Sequence, residues 1–128
     1  MRFMMIMKPN ISEADWLEPS AEALAAMSTM SKYNDELTKA GMLLAHDGLQ
    51  APAKGARVAF AGGKATVTDG PFAEAKELIG GYWMIEARSK DEAVQWASRC
   101  PAADGDVIEV RQVYEMSDFP VEVQEAAR

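Results

Sequence analysis

The residues able to move a proton in this chain are few and widely spaced. The single histidine, His46, stands next to Asp47, and an imidazole, with an ordinary pKa of about 6.5, is the natural acid/base group at cellular pH. Adjacent strand residues point to opposite faces, so Asp47 does not orient His46 unless the strand has already turned. His46 is then either a catalytic base or a histidine at the surface or rim of a pocket. Asp69, ahead of Gly70 and Pro71, also has two readings. It is a base, or an Asx-type cap of the turn, where the N–H bonds it accepts would weaken it as a base. Glu74, Lys76 and Glu77 follow it either as a solvated charged turn or as groups reaching a polar ligand, Glu74 being the candidate contact.

Glu109 and Arg111 share one face of a strand. They form a structural ion pair at an interface, or Arg111 clamps the carboxylate of a ligand, as a guanidinium fork is suited to do. Tyr33, Trp83 and the nine methionines supply core, or the walls of an adaptable apolar pocket. Cys100, the lone cysteine beside Pro101, cannot close an internal disulfide; with no flanking His or Lys to activate it, it reads as a small apolar filler. One His and one Cys make no metal site. The run Gly62-Gly63-Lys64-Ala65-Thr66 lacks the upstream glycine of a phosphate loop and leads into a strand, so nucleotide binding there is rejected. No cofactor is implied.

A chain of 128 residues with 48% hydrophobic and 26% charged content fits one soluble globular domain, residues 1–128. Thirteen basic against twenty acidic residues give a net charge of -7, and with basic residues scattered singly, nucleic acid is excluded as a partner. The apolar start is cut short by Lys8 and Pro9, too soon for a signal segment or a membrane span. A cytoplasmic location is expected.

The elements that must position these groups follow from periodicity. Residues 2–8 are a nearly continuous apolar run, the pattern of a central strand covered on both faces. Residues 9–18 read as a connecting loop in which Trp16 folds back over the site or the core. Apolar positions at intervals of three and four (Ala23, Ala26, Met27, Met30, Tyr33, Leu37, Ala40) predict an amphipathic helix over 20–40, stopped by Gly41. Residues 42–49 form a second strand. Two apolar runs around Gly62-Gly63 predict a tight hairpin with positive φ at both turn positions. Residues 79–87 form a strand with Trp83, Ile85 and Ala87 on one face, and Gly80-Gly81 within it marks a bulge or a close approach by ligand or backbone, the bulge being preferred. Ser89 with Glu92 makes a capping box for a second helix ended by Pro101. Residues 107–114 are the last strand, and a loosely held tail begins at about residue 118.

Each helix carries the chain back to a parallel neighbour, and two such units give an α+β fold: a ferredoxin-like antiparallel sheet with two helices on one face. The other face is left for a second subunit. The run Asp69-Gly70-Pro71-Phe72-Ala73-Glu74-Ala75-Lys76-Glu77 resembles the Asp-Gly-Pro-Phe signature of bacterial YCII-related, or DGPF-domain, proteins. The likeness covers nearly the whole chain, including Ala40-Gly41, Asp47-Gly48-Leu49, the Gly-Gly-Lys hairpin, Gly80-Gly81-Tyr82 and Ile108-Glu109-Val110-Arg111. The resemblance implies a dimeric α+β barrel, in which two ferredoxin-like sheets pack face to face and leave a small pocket at each subunit.

The same resemblance implies association with an extracytoplasmic-function sigma factor. Distant members of the superfamily resemble enzymes that eliminate or isomerise small ring compounds with a His/Asp pair, but matching Gly41 to the family's helix-end glycine puts Met30 and Lys39 at those positions. A thioether accepts no proton at neutral pH and an ammonium cannot orient an imidazole. Three functions follow: a homodimeric binding or regulatory protein for a small anionic or aromatic ligand, with a pocket near the Asp69 loop; a proton-transfer enzyme acting on a small ring compound or lactone, using His46 or Asp69 with Arg111 as anion holder; or an interaction module for a transcription partner.

Overall fold

The computed structural model describes residues 1–72 and 77–127. Strand β1 (Arg2–Lys8) buries Phe3 and Met5 on one face and leaves Arg2, Met4 and Ile6 half covered on the other, so the apolar run is enclosed on one side only within a single chain. The expected loop over 9–18 contains a short helix, α1 (Glu13–Leu17). The Ser12 side chain accepts the Asp15 N–H at its start, and Glu13 and Asp15 suit its positive end. Five residues are too few to show a helical period, which is why the pattern read as loop.

Helix α2 (Ala21–Lys39) begins at Ser20, whose hydroxyl accepts the Ala23 N–H, and buries Tyr33 and Leu37. Strand β2 (Leu43–Gly48) leads through a 3-10 turn (Pro52–Lys54) into a hairpin of β3 (Ala56–Ala61) and β4 (Lys64–Asp69). Gly62 and Gly63 turn it with φ of 58° and 78°, a backbone that side chains disfavour. Strand β5 (Gly81–Glu86), helix α3 (Lys90–Ser98) and strand β6 (Val107–Gln112) follow, and a 3-10 turn (Met116–Asp118) precedes a short helix α4 (Val121–Ala126) with no buried residue. At the start of α3, Ser89 accepts the Glu92 N–H as expected, but Glu92 reaches one residue further back, to the N–H and guanidinium of Arg88.

The four-stranded sheet runs β2-β5-β1-β6 with every neighbouring pair antiparallel, and the hairpin stands apart as a second sheet. The α+β, ferredoxin-like expectation holds, with one correction to the crossovers. β1 and β2 run parallel, as do β5 and β6, but an antiparallel strand lies between the members of each pair rather than leaving them as neighbours.

Phe3, Met5, Leu37 and Ile85 are fully buried where α2 and α3 cover one sheet face, with Tyr33, Met42, Trp83, Ala87 and Ala93 completing the cluster. Each large side chain removed from water there contributes about 1.5–3 kcal/mol. The preferred bulge at Gly80-Gly81 is also corrected: the register shift lies in β2, between Leu43 and Ala45. Gly81 is glycine because a Cβ there would stand 2.8 Å from the Asp47 carbonyl oxygen, the close approach of another backbone.

Candidate functional site

The Gly81 approach opens a cavity beside it. Gly48, Gly80 and Gly81 lie together where β2 ends and β5 begins, and three positions without side chains leave a space of about 230 Å³. Helix α2 walls it with Met30 and Asn34, four residues apart and therefore on one helical face. β2 and β5 add His46, Asp47, Tyr82 and Trp83, and Met7 of β1 closes it. Trp16 of α1 donates its indole N–H to the Leu49 carbonyl at 3.2 Å and lays its ring beside Gly80, so it folds back next to this margin.

Two hydrogen bonds fix polar side chains here, one on the cavity side of the sheet and one on its other face. The Trp83 indole N–H donates to Asn34 Oδ1 at 2.7 Å, and the Tyr82 hydroxyl donates to Asp47 Oδ2 at 3.0 Å. That bond to an anionic acceptor raises the Tyr82 pKa above its ordinary value. Trp83 is 6% exposed and meets the Tyr33 ring edge-on, with centroids 5.9 Å apart. His46 pairs with Trp83 across the strands, while Asp47 pairs with Tyr82. His46 and Asp47 therefore sit at alternate positions, and the carboxylate is engaged elsewhere, as strand alternation requires.

The sequence-derived site residues are not brought together. His46 and Trp83 line the cavity. Tyr33 is a core residue whose hydroxyl donates to the Trp96 carbonyl at 2.6 Å, and burial drives its pKa well above the ordinary phenol value. Asp69 is exposed at the base of the hairpin, paired with Ala56. Among the described residues its carboxylate accepts no hydrogen bond. Gly70 beside it packs so closely on the Pro52 carbonyl that a Cβ would collide, and Arg57 lies 4.0 Å over the Phe72 ring. Glu74 lies outside the described residues. Arg111, 71% exposed, stands 3.7 Å from Glu109 beside a depression formed with Gln112, Val113, Tyr114 and Asp118, away from Trp83. The expected pairing with Glu109 is present, and Lys8 shares that carboxylate at 2.8 Å.

Asn34 went unnoticed because it sits just off the apolar stripe of α2. Its spacing of four from Met30 was the signal that could have found it. Met30, which stands where the superfamily's histidine was expected, is on the cavity wall, and its sulfur lies 3.9 Å from that of Cys100. Burial pushes the Cys100 thiol up to about 11, which keeps it un-ionised at neutral pH and unsuited to nucleophilic work. An open groove of about 520 Å³ runs past Cys100 between α3 and β6, without the convergent aromatic and polar groups of the smaller cavity. Among the described residues no cluster of three or more His, Cys, Asp or Glu could hold a metal ion, and no helix is long and apolar enough to cross a membrane.

The family model of the YCII-related domain matches residues 1–117 of the chain. No curated protein matches it.

Proposed function

Since the chain belongs to the YCII-related family, we propose that it is a homodimeric small-molecule binding protein with one ligand cavity in each subunit. The observation that carries this reading is the convergence of Trp83, Asn34 and His46 on one small space. At about 230 Å³ it falls below the roughly 300 Å³ at which pockets for drug-sized ligands begin, and a single small ring suits it. Nuclear magnetic resonance with a library of one-ring compounds tests the reading: binders should move the Trp83 indole and His46 imidazole signals, and a library that moves neither would remove it.

The dimer reading rests on the sheet face opposite the helices. Met4, Ile6 and Met84 form an apolar centre on neighbouring strands, flanked by the Lys8–Glu109 and Arg2–Glu115 pairs. An apolar centre inside a charged rim is the anatomy of a protein interface. Sedimentation should give a dimer that Met84→Asp converts to monomer.

His46 favours a second reading, in which the cavity carries out proton transfer on its ligand. Its imidazole is exposed at the cavity wall, where both a ligand and water can reach it. If so, His46→Gln abolishes turnover of a cavity ligand while leaving its binding within a few-fold; unchanged turnover would exclude His46 as the base.

A further inference from the structure

A free asparagine amide presents either its oxygen or its nitrogen to a ligand, but Trp83 removes that choice from Asn34. An indole N–H only donates, so the amide oxygen faces it, and their 2.7 Å bond holds the amide in that orientation. The amide nitrogen keeps two N–H donors, and among the described residues it has no partner. Asn34 is half buried and walls the cavity one helical turn from Met30. No other polar side chain lining the cavity sets a polarity there. His46 shares the Trp83 side of the sheet by register, and a neutral imidazole donates from one nitrogen and accepts at the other. The Asp47 carboxylate is on the opposite face with the Tyr82 hydroxyl. The Gly80 backbone is engaged within the fold, its N–H donating to the Met7 carbonyl and its carbonyl accepting the Leu49 N–H, each at 2.8 Å.

We propose that the cavity reads its ligand by the polarity of one hydrogen bond, taking a one-ring compound whose acceptor oxygen, of a ketone or a carboxylate, receives an N–H from the Asn34 side chain. This rests on the cavity being a ligand site, and it moves recognition of a ligand oxygen from Arg111, as read from the sequence, to Asn34. Asn34 is the specificity-determining residue. Trp83 acts through it as a positioning residue, because without the indole N–H the amide is free to turn and present its oxygen instead.

Matched probes test the polarity. Acetophenone and benzoate accept, and α-methylstyrene has their shape without the oxygen; aniline donates, and toluene has its shape without the N–H groups. Each is titrated into the full chain while the Trp83 indole and Asn34 side-chain amide signals are followed. Acetophenone or benzoate should move both signals and bind about fivefold to tenfold tighter than α-methylstyrene, the worth of one neutral hydrogen bond. The tighter of the two identifies ketone or carboxylate as the preferred oxygen. Aniline should gain nothing over toluene. Asn34→Asp keeps an acceptor for Trp83 but removes the donors, so it should erase the advantage of acetophenone and give aniline one over toluene. Trp83→Phe should also give aniline an advantage over toluene, a gain that mere structural damage would not produce; its absence would overturn the positioning role. On the native protein, acceptors no tighter than α-methylstyrene, or aniline favoured over toluene as strongly as acetophenone over α-methylstyrene, would overturn the polarity while leaving the ligand site standing. If no probe moves the Trp83 signal, the ligand site falls with it. Should the variants fail to fold, the ranking of the probes on the native protein decides alone.

Discussion

Tyr33 and Trp83 share the core but divide its polar work, one hydroxyl bonding the Trp96 carbonyl and one indole bonding Asn34. Removing the first without disturbing volume should show what a buried hydroxyl contributes: Tyr33→Phe is expected to lower stability by about 1 kcal/mol, measured by urea denaturation. At the surface, the Lys8 ammonium holds Glu109 below the ordinary carboxylate value of 4.5. A carboxylate with a lowered folded pKa contributes stability that is fully present above that ordinary value and is lost as the pH falls through the folded one. Glu109→Gln should therefore flatten the acid limb of a plot of melting temperature against pH below 4.5, with less effect on its shape at neutral pH. His46 and Trp83 were legible in the sequence because their side chains announce their chemistry. Asn34 was not, because an amide acquires a direction only from its partner, and that partner lies on another element.

Between β2 and β5 the backbones come so near that side-chain size at one position sets the sheet's spacing. Gly81→Ala would place a methyl 2.8 Å from the Asp47 carbonyl oxygen, whereas Gly48→Ala on the facing strand meets nothing within 4 Å. The first substitution is expected to cost about 1–3 kcal/mol as overpacking and the second well under that, a contrast that thermal melts of the two variants would measure. Patterning located the larger elements, with an apolar stripe for α2, a continuous apolar run for β1, the Gly62-Gly63 turn for the β3–β4 hairpin and a capping box for α3. α1 escaped it by being five residues long. The β2 bulge escaped it because an extra residue opposite β5 leaves no trace in residue type, and the glycines nearby answer to a different need.

Among the described residues, the molecule is one helix-covered sheet with a hairpin that shares no buried core with it. Val58, Phe60 and Val67 lie exposed on one face of that hairpin, Phe60 at 80%, and two strands alone are marginally stable in water. The alternation of its apolar residues was legible, but not that they would stay uncovered in a single chain, since a strand pattern records that a face is apolar and not what meets it. The neck of the hairpin is closed by the Gly70 N–H donating to the Gly55 carbonyl at 3.0 Å. That bond makes the arm a detachable module. Excising Ala56–Asp69 in favour of a two-residue Asn-Gly connection should leave a cooperative thermal transition within a few degrees of the native one, read by circular dichroism, because the cut falls outside the packed core. A collapse of that transition would show that the arm supports the sheet. If the transition survives, the same neck can accept a foreign loop or a reporter peptide, and the cavity beside Gly81 and the graft site would sit on one scaffold without sharing a residue.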